Sequence, residues 1–376
     1  MSFVAEALGL SKFSADRLRE RGILKKAFIK SKIFDDIIDA YRLEKKFGPY
    51  EEGTVVIKGI DGLKVVRGFP KIRRILHLEA GLKRHFGERE IVVEEKMNGY
   101  NVRIVKVGKK IYAITRGGLI CPYTTEKARE KVSEDFFNEY SEFMLCCEAV
   151  GKASPYVMDQ YGIEGLEFFL FDVRHCRSNV PLSIRRKEEI AKNFGLKIVE
   201  ILKKCKATDI EEIKKVIVEL HRKNREGVVF KDVEMKLEPL KYTTSYANCN
   251  DLAYAFRYFE EYGRDFMLAR IIREAFQAFE FGYSDERALR LGRALLKSAI
   301  ESIEKVKNCE EVVETSRLIF NNEEVYEAFK MHMKLLGISF RELEVKKGEK
   351  GMEVVIARVM RATTDRIRSL LEGNPW

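Results

Sequence analysis

At 376 residues the chain is long for one domain, since domains run to roughly 100–200 residues, and 45% hydrophobic with 11% aromatic side chains excludes a disordered, core-poor chain. Seven prolines, and the lack of any run of about 18 uncharged apolar residues, exclude a collagen-like chain and a membrane-spanning helix. Lys plus Arg outnumber Asp plus Glu by 69 to 59, a formal net charge of +10 that favours a polyanionic partner, although 34% charged residues with only two glutamines (Gln160, Gln277) also suits a surface laced with ion pairs against heat.

Residues 1 to about 50 read as a helical, basic appendage: Phe13, Leu18, Ile23, Leu24 and Phe28 recur at helical spacing, and IFDDIIDAYRLEKKF follows. From about 54, TVVIKGIDGLKVVRGFP predicts a hairpin turning between Gly59 and Gly62, and RRILHLEAGLKRHF a short helix. REIVVEEKMNGYNVRIVKVGKKIYAITRGG then gives three strands, broken at Gly99 and at Gly108 with Lys109 and Lys110. FMLCCEAVG and LEFFLFDVR add antiparallel strands, followed by a helix from about Ile184 to Phe194, the strand LKIVEIL, the helix IEEIKKVIVELHRK and the strand EGVVFK. That mixture is an α+β domain. After Tyr246 the period becomes helical, with Leu252, Phe256, Phe259, Phe266, Leu268, Ile272, Ala275, Phe276 and Phe279 in a wide apolar stripe. The last 60 residues predict a helix (EEVYEAFKMHMKLLG), a strand (MEVVIARV) and a final helix. The expected division is an N-terminal domain at 1–65, the α+β domain at 66–245, a helical domain at 246–316 and a C-terminal domain at 317–376.

The opening MSFVAEALGLSK carries Glu6 within its apolar stretch and no basic leader, so no secretory signal is expected and the expected location is the cytoplasm. Seven scattered cysteines without a CxxC pair read as buried thiols, and five histidines lack HxxxH or HExxH spacing, so neither a disulfide framework nor a zinc site is expected.

The stretch EEKMNGYNVR concentrates the chemistry. Lys96 ends an apolar strand and is trailed by Asn98 and Gly99, a sharp turn whose glycine would let backbone approach a ligand. A lysine attacks phosphorus only after losing a proton, which desolvation or neighbouring cations promote. In chain order there follow TRGG with Arg116, CCEAVG with Glu148, FFLFDVR with Phe169, Phe171 and Asp172, EGVVFK with Glu226 and Lys231, and LKYTT with Lys241. Strand alternation puts Phe169 and Phe171 on one face and Asp172 on the other.

In that order the blocks resemble the covalent nucleotidyltransferase superfamily of polynucleotide ligases and RNA-capping enzymes. KMNGYNVR, TRGG and LKYTTSYAN resemble the archaeal homodimeric ATP-dependent RNA ligases over most of the chain. The resemblance implies an antiparallel-sheet, ATP-grasp-like nucleotidyltransferase core with N-terminal, helical dimerisation and C-terminal domains. It implies that Lys96 takes AMP from ATP, that Lys241 places charge on the α-phosphate and lowers the pKa of Lys96, and that Lys231 and Lys236 are further phosphate contacts. Glu148 would hold the ribose, Glu226 a catalytic Mg²⁺ or Mn²⁺, and Arg116 ribose or phosphate. One of Phe169 and Phe171 would stack on adenine, with Phe171 favoured, the Glu95 backbone would read the adenine amine, and Asn101 would lie near the RNA 5′-phosphate. The implied reaction joins RNA 5′-phosphate and 3′-hydroxyl ends through lysyl-AMP and AppRNA, circularisation of single-stranded RNA included. Single-stranded RNA is the expected partner, with DNA joining as the alternative, then capping-type GMP transfer, and last a non-catalytic binding relative. No string like RxDK follows Lys241; the helical segment there matches the homodimeric branch instead.

Overall fold

The N-terminal residues form α1 (Ser2–Leu8), α2 (Lys12–Glu20) and a four-stranded antiparallel sheet of β1 (Leu24–Lys26), β2 (Ile37–Leu43), β3 (Val55–Gly59) and β4 (Gly62–Val66). This is a computed structural model, and it describes residues 1–158, 160–348 and 351–376. The expected β3–β4 hairpin is present, with Gly59 opposite Gly62. The helix expected over IFDDIIDAYRLEKKF is instead a single 3₁₀ turn at Lys32–Phe34 followed by β2. Ile37, Ala40, Tyr41 and Leu43 are buried while Ile38 is exposed, a sheet-type burial pattern interrupted by a bulge near Ile38, and pairing with β1 and β3 satisfies its backbone.

Next come β5 (Arg73–Arg74), α3 (Leu78–Phe86), β6 (Glu90–Lys96), β7 (Tyr100–Val107), β8 (Lys110–Thr115), α4 (Pro122–Lys131), α5 (Asp135–Glu139), β9 (Phe143–Val150), β10 (Glu167–His175), α6 (Ile184–Asn193), β11 (Ile201–Lys206), α7 (Ile210–Arg222), β12 (Gly227–Asp232) and β13 (Leu240–Thr243). These strands make two sheets, ordered β10-β9-β7-β8 and β11-β6-β12-β13-β5, antiparallel except for the parallel β13–β5 pair. The chain crosses from one sheet to the other at Lys96, where β6 ends, and enters β7 at Tyr100. The α+β fold class read from the sequence is therefore the observed one.

Three helices follow, α8 (Ser245–Arg257), α9 (Arg264–Phe281) and α10 (Asp285–Lys307). Buried Glu274 of α9 accepts hydrogen bonds from Ser245 Oγ (2.5 Å), Asn248 Nδ2 (3.2 Å) and Arg287 Nη1 (2.7 Å), so one carboxylate ties the three helices together. Leu252 on α8 is fully buried, whereas Leu268, Ile272, Phe276 and Phe279 on α9, and Leu289, Leu296 and Ile300 on α10, stay exposed. The apolar stripe is thus used internally by α8 and left open by α9 and α10.

The chain closes with β14 (Val313–Phe320), α11 (Glu323–Leu335), β15 (Phe340–Gly348), β16 (Gly351–Val359) and α12 (Arg361–Leu371), the strands ordered β14-β16-β15. The sequence reading missed β14 and β15. β15 is exposed along nearly all its length and charge-rich, as an edge strand is, and so shows little apolar alternation. The expected border between 316 and 317 falls inside β14, and that between 65 and 66 inside β4. Phe320 and Phe329 pack on Tyr123 of α4, so the C-terminal segment shares a core with the catalytic sheet. Five of the cysteines are buried as expected, while Cys205 is half-buried and Cys309 exposed. Among the described residues no helix is long and apolar enough to cross a membrane.

Candidate active site

A cavity of about 660 Å³ opens where the two catalytic sheets meet, lined by Glu95, Lys96, Asn101, Arg116, Glu148, Phe171, Lys231 and Lys241 together with Gly99, Tyr100 and Tyr156. Eight of the eleven residues singled out from the sequence therefore converge on one space, although they come from seven strands or strand ends. Glu226 joins them through an ion pair: Lys96 Nζ lies 2.7 Å from Glu226 Oε1. β12 runs beside β6 with Gly227 opposite Lys96, which fixes Glu226, the residue just before Gly227, next to the lysine.

Gly99 is required for a reason other than the expected one. A Cβ there would meet Ala149 O at 2.3 Å and Val150 Cγ2 at 2.7 Å, so the glycine lets the Lys96 turn lie directly on β9. That contact sets Asn101 opposite Glu148 in the β7–β9 ladder. Asn101 Oδ1 is buried and has no hydrogen-bond partner, as befits a side chain that waits for a ligand donor. In TRGG the second glycine serves packing, because a Cβ on Gly118 would meet Gly53 O at 2.8 Å and Arg42 Cβ at 2.9 Å, whereas Gly117 has open space around it. Arg42 Nη1 donates to Gly117 O at 2.9 Å, and Arg42, Glu44 and Glu52 of the N-terminal region form part of the cavity wall.

The charges are unevenly compensated. Burial, and then the neighbouring Glu226, push the Glu148 carboxyl up to about 7 against the opposing pull of Lys96 and Arg116. Burial, followed by the cations Arg74, Lys96 and Arg116, brings Lys241 down to about 8. Burial also raises Glu95 above the usual carboxylate range despite Arg225, and its Oε1 accepts a hydrogen bond from Tyr161 at 3.3 Å.

Phe171 enters the cavity because β10 bulges there: the register with β9 slips between Leu170 and Asp172, leaving Phe171 outside the ladder. Phe169 and Phe171 nevertheless share the face expected of them, both packing against Met97, Val150 and Val199. Phe171 meets Phe69 edge to face at 5.1 Å, whereas Phe169 lies outside the cavity lining.

Two lysines depart from expectation. Lys231 is 1% exposed, and its ammonium already donates to Phe171 O (2.6 Å) and Asp172 (2.8 Å) and pairs with Glu94 at 2.7 Å, so its charge is compensated inside the protein. It forms the cavity floor as part of a buried charge cluster completed by Lys187 and Arg174, in place of the phosphate contact expected of it. Lys236 is exposed, receives a contact only at its backbone N–H from Asp232, and lies beside a separate, smaller cavity.

The comparisons with known proteins agree with this geometry. The family described as RNA ligase matches residues 89–243, and the one described as Ligase Pab1020 C-terminal region matches 254–374. An uncharacterised protein of Methanocaldococcus jannaschii is 36% identical over 99% of this chain and 96% of its own. A solved archaeal ATP-dependent RNA ligase superposes with a TM-score of 0.91 at 35% identity, covering 100% of this chain and 99% of the other. This chain belongs to the archaeal ATP-dependent RNA ligase family. A chain from Aquifex aeolicus named as a candidate ATP-dependent DNA ligase also superposes, with a TM-score of 0.89 at 27% identity over 97% of this chain and all of its own.

Within this RNA ligase family member, several site residues carry no local sequence signal. Lys187 reaches the cavity floor from α6, and Leu336 and Ile338 complete a wall from the C-terminal segment. Tyr156 shares a hydrogen bond with buried His332 of α11 at 2.9 Å, tying the same wall to the C-terminal segment. Only the tertiary fold brings them to the site.

Proposed function

We propose that Lys96 is the nucleophile of an ATP-dependent RNA ligase and takes AMP as a phosphoramidate; the observation that carries this is the Lys96–Glu226 pair at the mouth of a cavity walled by Phe171, Glu148 and Lys241. Glu226 is placed to accept the ammonium proton as the amine attacks the α-phosphorus. The new N–P bond replaces the bond to the pyrophosphate oxygen, and pyrophosphate leaves with that electron pair. AMP then passes to an RNA 5′-phosphate, and a 3′-hydroxyl displaces it. Lys241 would stabilise the charge that gathers on the α-phosphate. Phe171 would stack on the base, Glu148 and Arg116 would hold the ribose and phosphate, the Glu95 backbone would meet the adenine amine, and Asn101 would meet the RNA 5′ end.

Among the described residues no three His, Cys, Asp or Glu side chains form a metal cage. A hard ion shared between one or two carboxylates and the nucleotide phosphates needs no such cage. Glu226 and the nearby Glu148 are oxygen donors of the kind that hold Mg²⁺ or Mn²⁺, with Glu226 released for that role once Lys96 is adenylylated and no longer a cation. When bound, the ion would neutralise phosphate charge.

The reading is tested by sealing paired substrates that differ only in the 2′-hydroxyl. Joining of RNA ends well above DNA ends is expected; equal or preferential DNA joining would move the chain to the alternative that the Aquifex likeness supports.

Lys241 also sets a pH dependence. Its charge is present below about pH 8 and is lost as pH rises through that value, so the rate of lysyl-AMP formation by the free enzyme should fall on the alkaline side. In Lys241→Arg, whose guanidinium does not titrate there, that alkaline fall should vanish from the pH–rate profile even if the overall rate drops.

The open apolar faces of α9 and α10 support a homodimer through the helical domain, since soluble monomers rarely leave such contiguous apolar surface bare. Leu296→Glu combined with Ile300→Glu should convert the protein to monomer in light-scattering chromatography. A wild-type monomer, or a dimer unaffected by the pair, would place the interface elsewhere. A cytoplasmic location completes the reading.

A further inference from the structure

Behind Lys241 the fold assembles cations that the steps above leave unused. The parallel β5–β13 register sets Arg74 beside Lys241, and Arg74 Nη1 donates to Thr243 Oγ1 at 2.8 Å, with no carboxylate paired to it. Thr243 Oγ1 in turn donates to Asn248 Oδ1 at 3.0 Å. Gln277 Nε2 of α9 donates to the Thr243 carbonyl at 2.9 Å. Arg273 lies four residues earlier on α9 and so on the same helix face, near enough to Arg74 to repel its charge. Among the described residues Arg273 has no ion pair or hydrogen bond.

The two nearby acids are already engaged, Asp251 with Arg270 at 2.9 Å and Glu226 with Lys96 at 2.7 Å. Burial, and then repulsion from Arg273, bring Arg74 down to about 10, and burial with repulsion from Arg270 lowers Arg273. Half-buried guanidinium groups that among the described residues form no ion pair, attracted only at longer range by Asp251 and Glu226, favour a counter-anion. Their planar forks suit phosphate oxygens. Lys241 has Arg74 and Lys96 as neighbouring cations, and Arg74 has Arg273, so the series begins at the group that attacks the α-phosphorus and extends beyond it, as a triphosphate with two more phosphates to place requires.

We propose that Arg74 and Arg273 form the subsite for the β- and γ-phosphates of ATP, and so for the departing pyrophosphate, making the helical domain a direct participant in the first step. This rests on the reading of Lys96 as the adenylylated residue. Arg74 and Arg273 act on nucleotide attachment and its reversal, and leave the later sealing of an adenylylated end untouched.

The test uses the full-length protein and three measurements on Arg273→Ala, Arg74→Lys and wild type: lysyl-AMP formation against ATP concentration, stripping of isolated enzyme–AMP by inorganic pyrophosphate, and sealing of preadenylylated RNA without ATP. Each variant should lower kcat/KM for ATP by about 10- to 100-fold, the range of one or two lost charge-assisted contacts. The half-saturating pyrophosphate concentration should rise in parallel, and sealing of preadenylylated RNA should stay near wild type. Arg273→Ala removes no bond of the fold, so an unchanged melting temperature is expected and keeps the result interpretable. Unchanged ATP and pyrophosphate dependence in a labelled, folded protein would overturn the subsite. So would a loss confined to sealing, which would assign the arginines to the RNA backbone. A wild-type enzyme that takes no label would instead refute the Lys96 reading itself, and with it this extension.

Discussion

Lys96→Ala should lose joining of 5′-phosphate and 3′-hydroxyl RNA ends by at least about 10⁴-fold, a loss typical of a removed nucleophile, while still sealing ends supplied as AppRNA. The asymmetry follows from the geometry. The Lys96 amine, 2.7 Å from Glu226, forms a bond only in the first step, and an AppRNA end already contains the phosphoanhydride that the first two steps create. The remaining wall, with Arg116, Glu148, Phe171 and Lys241, is still present to hold the adenylate. Single-turnover assays on the two substrates separate these cases. Equal loss on both would make Lys96 a structural or general electrostatic residue, and retained joining of 5′-phosphate ends would remove it from the reaction.

The second large effect concerns stability. Glu94, Asp172, Lys187, Lys231 and Arg174 form a buried cluster of three cations and two acids beneath the cavity. Removing one member leaves the others unpaired in a low-dielectric interior, which costs about 3–5 kcal/mol. Lys231→Ala should lower unfolding free energy by that amount in urea titrations. If Lys231 served chiefly as a phosphate contact, the substitution would spare stability and raise KM for ATP instead. The cluster also predicts an acid limit. Burial alone would raise Asp172, but Lys231 and Arg174 more than offset it and hold its carboxyl below the ordinary 3.8. The stability it contributes is therefore complete above that value and is lost as pH falls through the lower folded one. Asp172→Asn should flatten the acid limb of the stability profile.

The catalytic strands were legible because each block is a local strand-and-turn signal: EEKMNGYN ends β6 and starts β7, and EGVVFK is β12 almost to the residue. Convergence of Lys96, Glu148 and Lys241 followed from their order in the chain. What escaped depends on tertiary contacts. The demand for Gly99 comes from β9, 50 residues away in the chain, rather than from a ligand, and a bulge that no residue type announces takes Phe171 out of the β9–β10 ladder. Lys231 looks like any strand-end lysine until Glu94 and Asp172 are seen to enclose it. Arg74 and Arg273 sit in segments with no motif, and both flank Thr243, Arg74 through its hydrogen bond to the hydroxyl and Arg273 on the helix that Gln277 ties to the carbonyl. β2 was read as a helix because its aliphatic and acidic residues satisfy both periods over a short run; pairing with β1 and β3 decided the outcome.

The most direct test of the central claim is to strip the purified protein of any resident AMP with inorganic pyrophosphate, incubate it with a divalent metal and α-labelled ATP or GTP, and locate the label by peptide mass spectrometry. Label from ATP, acid-labile and carried on the peptide that contains Lys96, is the predicted result. Label on another residue, label from GTP alone, or none at all from the stripped enzyme would contradict it.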